Sequence, residues 1–274
     1  MGDVEATPAA VNAFSHLDKS GIAPEMLATM RQLDENPAIV RLGEWAFDTL
    51  AVRPGEGVLD AGCGLGFDTQ RLARLTGAGG TVLGIDFSDT MVAGARSLLG
   101  NDLPQVSYAH GDITALDLPD ASFDVVHSER VLQHLDDPAR AVAELARVTK
   151  PGGRIAVLDT DWFTSTSSAG SDEVAALVLP ATTVIARSPR VGRHLPVLLR
   201  GAGLDIIGIE AAAVMTDLDF VLRPPFTLLP ELASATGSAD RDVVQRWVDE
   251  VGEQARAGYL AQAVTMFGVV ARKP

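Results

Sequence analysis

Val58-Leu59-Asp60-Ala61-Gly62-Cys63-Gly64-Leu65-Gly66 decides how this chain is read. A short apolar run gives a strand over Gly57–Ala61, three glycines at alternate positions give a sharp turn, and helical periodicity takes over from Gly66 to Leu75. Glycine turns the backbone where a β-carbon would clash and lets a bound molecule approach the main chain closely. In an open α/β sheet, ligands sit in the crevice at the carboxyl ends of such strands.

The spacing narrows the ligand. A dinucleotide-binding turn puts its third glycine three residues after the second, where this chain has Phe67; its glycines are Gly62, Gly64 and Gly66. Asp60, just before the turn, would repel a pyrophosphate seated on the helix N-terminus. The same carboxylate suits a ligand carrying an ammonium and a sulfonium, as S-adenosylmethionine (SAM) does. Asp86 ends the next strand, Thr81–Asp86, where a carboxylate can accept both hydroxyls of an adenosine ribose. His110-Gly111-Asp112-Ile113 follows a third strand and offers Asp112 to an adenine amine beside apolar Ile113. Ser128-Glu129-Arg130 follows a fourth strand, Phe123–His127, and lines the crevice by the first. Four loops at one sheet edge make one site.

Working outward, the alternation continues. Ser88–Leu99 reads as a helix with a serine N-cap, Val106–His110 as a strand, Asp136–Val148 as a helix and Arg154–Leu158 as a strand. Right-handed crossovers of this kind build a parallel sheet covered on both faces. Residues 1 to about 12 read as a frayed tail, and Pro24–Leu33 and Pro37–Leu50 as helices. Past Thr160 a hydroxyl-rich loop precedes a helix over Asp172–Ala186, then a helix over Arg193–Arg200 and a strand over Ile206–Val214. A proline-rich lid over 217–238, a polar helix Arg241–Arg256 and a last strand Leu260–Ala271 complete the chain. The expected organisation is an N-terminal helical lid (1–50), a ligand-binding core (51–160), and the remainder of the same domain (161–274). Substrate-cap insertions are expected over about 162–190 and 217–240.

The chain has 274 residues, and 47% are hydrophobic, enough for a sizeable core. Its 36 acidic and 22 basic residues give a net charge of -14, which repels phosphate backbones and anionic membranes alike, so neither is expected as a partner. The single cysteine, Cys63, forbids an intrachain disulfide. With an acidic start and no apolar run of about 18 residues, this predicts a cytoplasmic protein. No His/Cys/Asp cluster has metal-ligand spacing, so no metal is expected.

Together with Arg147-Val148-Thr149-Lys150-Pro151-Gly152-Gly153, these motifs resemble the class I SAM-dependent methyltransferases, and within them the ubiquinone-biosynthesis-like small-molecule and natural-product group. The strong match covers roughly residues 55 to 160, and Phe267–Pro274 fits the family's last strand. The resemblance implies a doubly wound, mostly parallel seven-stranded α/β sheet whose last strand is antiparallel. It implies that Asp60 and Gly62 contact the methionine end of SAM, with Cys63, Gly64 and Gly66 in the same loop. Asp86 would hold the ribose beside Phe87 and Met91, and Gly111, Asp112 and Ile113 the adenine, with Ser128 and Glu129 along the crevice. The implied partner is a small-molecule acceptor, a secondary metabolite or quinone-like aromatic, and self-association into a homo-oligomer stays open. The competing readings are a SAM-binding protein without methyl transfer (a cyclase or binding module) and a NAD-dependent oxidoreductase.

Methyl transfer is an in-line displacement at an activated carbon, so an enzyme chiefly positions the acceptor and excludes water. A base is needed where the acceptor must lose a proton. His134 follows the fourth strand, and in related natural-product O-methyltransferases a histidine in this segment pairs with an aspartate ending the fifth, here Asp159. Gln133 stands where a second histidine is common, and a capping or packing role for His134 stands beside the catalytic one. Phe14, Met26, Met30, Trp162, Phe163, Phe220 and Phe226 are candidates for the acceptor pocket, although residues at helical spacing serve a core more often.

Overall fold

A computed structural model describes residues 23–99, 102–178, 183, 186–216, 218–223 and 226–274. The expected tail, Phe14 and the end of the helix expected over Asp172–Ala186 lie outside them, as does the side chain of Met26. The strands are β1 (Gly57–Ala61), β2 (Thr81–Asp86), β3 (Val106–His110), β4 (Phe123–Glu129), β5 (Thr149–Ser167), β6 (Asp205–Met215) and β7 (Gln262–Arg272). They form one sheet in the order β3-β2-β1-β4-β5-β7-β6. All neighbours pair in parallel except β7, which runs antiparallel to both β5 and β6.

The apolar runs dictate this arrangement. Strands buried on both faces need helices on both, and connections between parallel neighbours need crossovers long enough to hold them. Helices α1 (Ala23–Asp34) and α2 (Pro37–Leu50) precede the sheet; α3 (Phe67–Thr76), α4 (Asp89–Leu99) and α5 (Pro138–Val148) are crossovers. Next come α6 (Asp172–Val178) and α7 (Val191–Gly201). On one face α2 and α3 pack through Leu42, Phe47, Leu50 and Leu72 onto Val58, Val125 and Leu158. On the other, α5 and α7 pack through Leu145 and Leu195 onto Leu59, Val126 and Ile155. Trp45 of α2 lies against Gly268 and Gly208, where a β-carbon would come within 2.9 and 3.1 Å of its ring.

Local signals set the helix starts. Asn36 accepts from the Ala38 amide at 3.0 Å ahead of Pro37, Asp137 accepts from Arg140 at 3.0 Å ahead of Pro138, and the Ser88 hydroxyl accepts from Met91 at 3.2 Å. Each satisfies an amide that a helix end leaves without a partner.

Past β5 the structure departs from the sequence pattern. β5 extends through Ser167 because its second half pairs with β7 across an irregularity between Asp161 and Thr166. The expected lid holds α8 (Leu218–Val221) and α9 (Leu229–Thr236), which join α6 and α10 (Arg241–Arg256) in a core of their own. Trp247, Phe226, Leu229 and Val244 are buried there, so Phe226 is a core residue, and Phe220 packs against it.

Gly66, at φ +79° before α3, turns the chain from loop to helix, and a β-carbon there would lie 2.1 Å from the Tyr108 hydroxyl. Gly66→Ala therefore combines left-handed strain with a steric overlap and is expected to destabilise the protein by about 1–3 kcal/mol. Thermal unfolding checks this; an unchanged melting temperature would contradict the turn geometry.

Candidate active site

The carboxyl ends of β1 to β4 open into one cavity of about 520 Å³. Its lining includes Asp60, Gly62, Cys63 and Gly64 from the first loop, Asp86, Phe87 and Met91 from the second, Gly111, Asp112 and Ile113 from the third, and Glu129 and His134 from the fourth. Of the other residues singled out, Gly66 caps α3, while Ser128 and Asp159 are wholly buried within the sheet and line no part of the cavity.

The first loop is held by main chain. Amides of Gly62 and Cys63 both donate to the Ile85 carbonyl, at 2.7 and 2.9 Å, which binds the turn to the end of β2. Asp86 completes the clamp: one carboxylate oxygen accepts from the Gly64 amide and the other from the Ser88 amide, both at 2.9 Å. Asp112 accepts from the Thr114 amide and hydroxyl at 2.8 and 2.7 Å, and Ile113 is buried beside it. The thiol of Cys63 is pushed far above its ordinary range by burial and by Asp60 and Asp86, so it is an inert packing group.

Beneath the loop lies a charged network that sequence spacing did not reveal. Asp60, 2% exposed, accepts from the Thr69 hydroxyl at 2.5 Å and pairs with His127 Nδ1 at 2.9 Å. Burial pushes the His127 imidazole down, but the hydrogen bond and charge of Asp60 prevail and raise it to about 9. Burial raises the carboxyls of Asp68 and Glu129, the latter to about 7; repulsion by Asp60 and Asp34 adds to the first, and repulsion by Asp68 to the second. Arg130 adopts φ +56°, a strained conformation for a side chain of its size, and its guanidinium meets both Glu129 and Asp34 of α1.

At the far end of the cavity, His134 ends a single helical turn, Leu132–His134. Burial, reinforced by Arg130 and Arg187, lowers its imidazole to about 4. Asp159 was expected on the imidazole; its carboxylate bonds main chain instead, accepting from the amides of Gln133 at 3.1 Å and Thr160 at 2.8 Å. Burial raises this carboxyl to about 7 against the pull of those amides. Gln133, in place of a second histidine, accepts from the Trp162 indole at 2.6 Å, so Trp162 braces the turn. Of the segment 162–190 it is Arg187 that lines the cavity among the described residues; Phe163 stacks under Arg190 at 3.9 Å.

The residues fit SAM: a carboxylate, Asp86, lining the cavity at the β2 edge, an apolar slot beside Asp112, and Asp60 where a cationic tail would lie. Comparison with known proteins agrees. Residues 59–157 match a methyltransferase-domain family. An uncharacterised 37.1 kDa protein of transposon TN4556 from Streptomyces fradiae is 37% identical over 254 residues, 91% of this chain and 72% of that protein. The methyltransferase GfsG of Streptomyces halstedii is 33% identical over 180 residues, 64% of this chain and 62% of its own length, so the chain spans only part of that relative. Among solved structures, the cyclase SpnF superposes with a TM-score of 0.53 at 25% identity, over 85% of this chain and 80% of that one. Residues 59–157 therefore form a SAM-dependent methyltransferase domain of the class I type, whose cofactor is SAM.

Asp86→Ala removes a charged acceptor and releases two loop amides. SAM affinity should fall by about 1.5–3 kcal/mol, or roughly 10- to 100-fold, with the fold retained. Calorimetric titration giving the parent dissociation constant would show that Asp86 takes no part in holding the cofactor.

Proposed function

We propose that this protein transfers the methyl group of SAM to a small-molecule acceptor, a secondary metabolite or quinone-like aromatic, that enters beside His134. The observation that carries this reading is the single cavity that runs from the glycine loop to His134. Bound SAM supplies a methyl carbon activated by its sulfonium; the chain's residues align, desolvate and take up a proton. In this reading Asp86 accepts from the ribose hydroxyls and Asp112 with Ile113 receives the adenine. Gly62 and Asp60 face the methionine end. The similarity to the methyltransferase GfsG supports methyl transfer. The net charge of -14 supports a small molecule over nucleic acid. Among the described residues no helix is long and apolar enough to cross a membrane, and together with the lone cysteine this supports action in the cytoplasm.

His134 serves as the base. An imidazole lowered to about 4 is neutral at pH 7, the form in which it can act as a base. As a weak base it takes protons from acidic acceptors, such as phenols, or late in transfer when the acceptor oxygen has become acidic. Asp159 positions the turn through the backbone. A second reading, SAM-assisted cyclisation without methyl transfer, is favoured by the likeness to SpnF. Formation of S-adenosylhomocysteine with candidate phenolic acceptors separates the two; SAM bound tightly with none formed across a broad acceptor panel would favour the second.

His134→Ala should leave SAM affinity near the parent value and lower turnover by about 100- to 10,000-fold. Because the imidazole protonates only near pH 4, the acid limb that belongs to His134 should fall below about pH 5.5. A folded His134→Ala variant with parent turnover, or one that keeps that limb, would refute this assignment.

A further inference from the structure

We propose that Asp68, His127 and Glu129 form a binding site for a divalent transition-metal cation beneath the glycine loop. His127 and Glu129 are two residues apart on β4, so both side chains leave the same face of the strand. Asp68 reaches them from the first turn of α3. One donor atom from each lies within 4.8 Å of the others. Metal bonds of about 2.1 Å need donors about 3–4 Å apart, a gap that small side-chain rotations close.

A second observation points to an occupant. The His127 ring is wholly buried, and its Nε2 has no hydrogen-bond partner, although native interiors rarely leave such an atom alone. Its other nitrogen, Nδ1, pairs with Asp60 at 2.9 Å. A carboxylate on one imidazole nitrogen with a metal on the other is the arrangement by which proteins fix a ligand's tautomer and strengthen it as a donor. A metal bound at Nε2 displaces the proton there, while the Nδ1 proton stays hydrogen-bonded to Asp60. The neighbouring cations do not fill the place: Arg130 is engaged by Asp34 and Glu129, and Arg71 stands 3.7 Å from Asp68 on a partly exposed side chain. All three side chains line the floor of the cofactor cavity, and a second cavity of about 340 Å³ reaches Asp68 and Glu129 from the side of Asp34 and Arg71. One imidazole and two carboxylates suit Zn²⁺ or Mn²⁺. Such an ion would tie α3 to β4 under the loop.

Chelator-treated protein without SAM is titrated with Mn²⁺, followed by electron paramagnetic resonance, and with Zn²⁺ by calorimetry. One saturable site is expected. Asp68→Asn and Glu129→Gln should each weaken it at least tenfold, with circular dichroism unchanged, and Asp60→Asn should weaken it about 10- to 100-fold through His127. Absence of saturable binding to the folded parent protein would overturn the proposal, as would binding unaltered in the Asp68 and Glu129 variants. A loss of SAM affinity in both variants without any metal binding in the parent would also overturn it, and would assign the cluster to the cofactor's ammonium. SAM binding is measured separately, so failure of the metal site leaves the methyltransferase reading standing.

Discussion

Asp60 is a charge that the fold has taken out of water, and much of the site follows from how that charge is compensated. A buried carboxylate is tolerated when its lone pairs are met, and losing one partner leaves an uncompensated charge at a cost of about 3–5 kcal/mol. Here the partners come from two other elements, Thr69 on α3 and His127 on β4. Asp60 and His127 are direct neighbours in the β1–β4 register, so a slip of either strand by one residue would send one of the pair to the opposite face. The pair thereby specifies the alignment of the two strands whose ends flank the crevice. It also places the start of α3, and with it the glycine loop that joins β1 to that helix.

The parts of the site that lie along one stretch of chain were legible in the sequence. Asp86 and Asp112 follow short apolar runs, and a carboxylate at a strand end needs only the strand to be found for its place to be known. The parallel core followed from the same alternation, and the antiparallel β7 from the family resemblance. Contacts between distant segments were not legible. His127 looked like a core residue ending a buried strand, because nothing local shows that it faces Asp60, 67 positions earlier. Asp68 lies in the first turn of α3, where the helix dipole favours an acid whatever it faces, so its position carries no local signal. The i, i+2 spacing of His127 and Glu129 was the available signal, and it becomes meaningful only once α3 is known to cover that face. The helical cluster around Trp247 was missed for a related reason: amphipathic helices say that they bury a face, not against what.

Strain marks where α1 meets the site. Arg130 follows β4 with a positive φ, stabilised by a 2.8 Å bond from its amide to the Leu158 carbonyl, and this turns its side chain back over Glu129 toward Asp34. The contact joins the end of α1 to the floor of the crevice, and Met30 and Leu33 of the same helix line the cavity wall. Whatever orders α1 therefore acts on both the charge balance beneath the loop and the closure above it.

The two ends of the cavity are built by different rules. The cofactor end is made of main-chain turns and three strand-end acids, all within the stretch shared with the methyltransferase family. At the acceptor end, His134 belongs to that stretch, but its support comes from outside it. Gln133 receives the Trp162 indole, its carbonyl accepts from the Ser188 amide, and Arg187 bonds Asp136 across the rim. Those contacts come from the extension of β5 and from the segment before α7, where the family pattern gives no guide. A fixed cofactor grip with an acceptor wall supplied by a separate segment lets one fold serve many acceptors, since the second can change without disturbing the first. On the proposed function, acceptor choice would rest on Trp162, Arg187 and the residues they bond, rather than on the glycine loop.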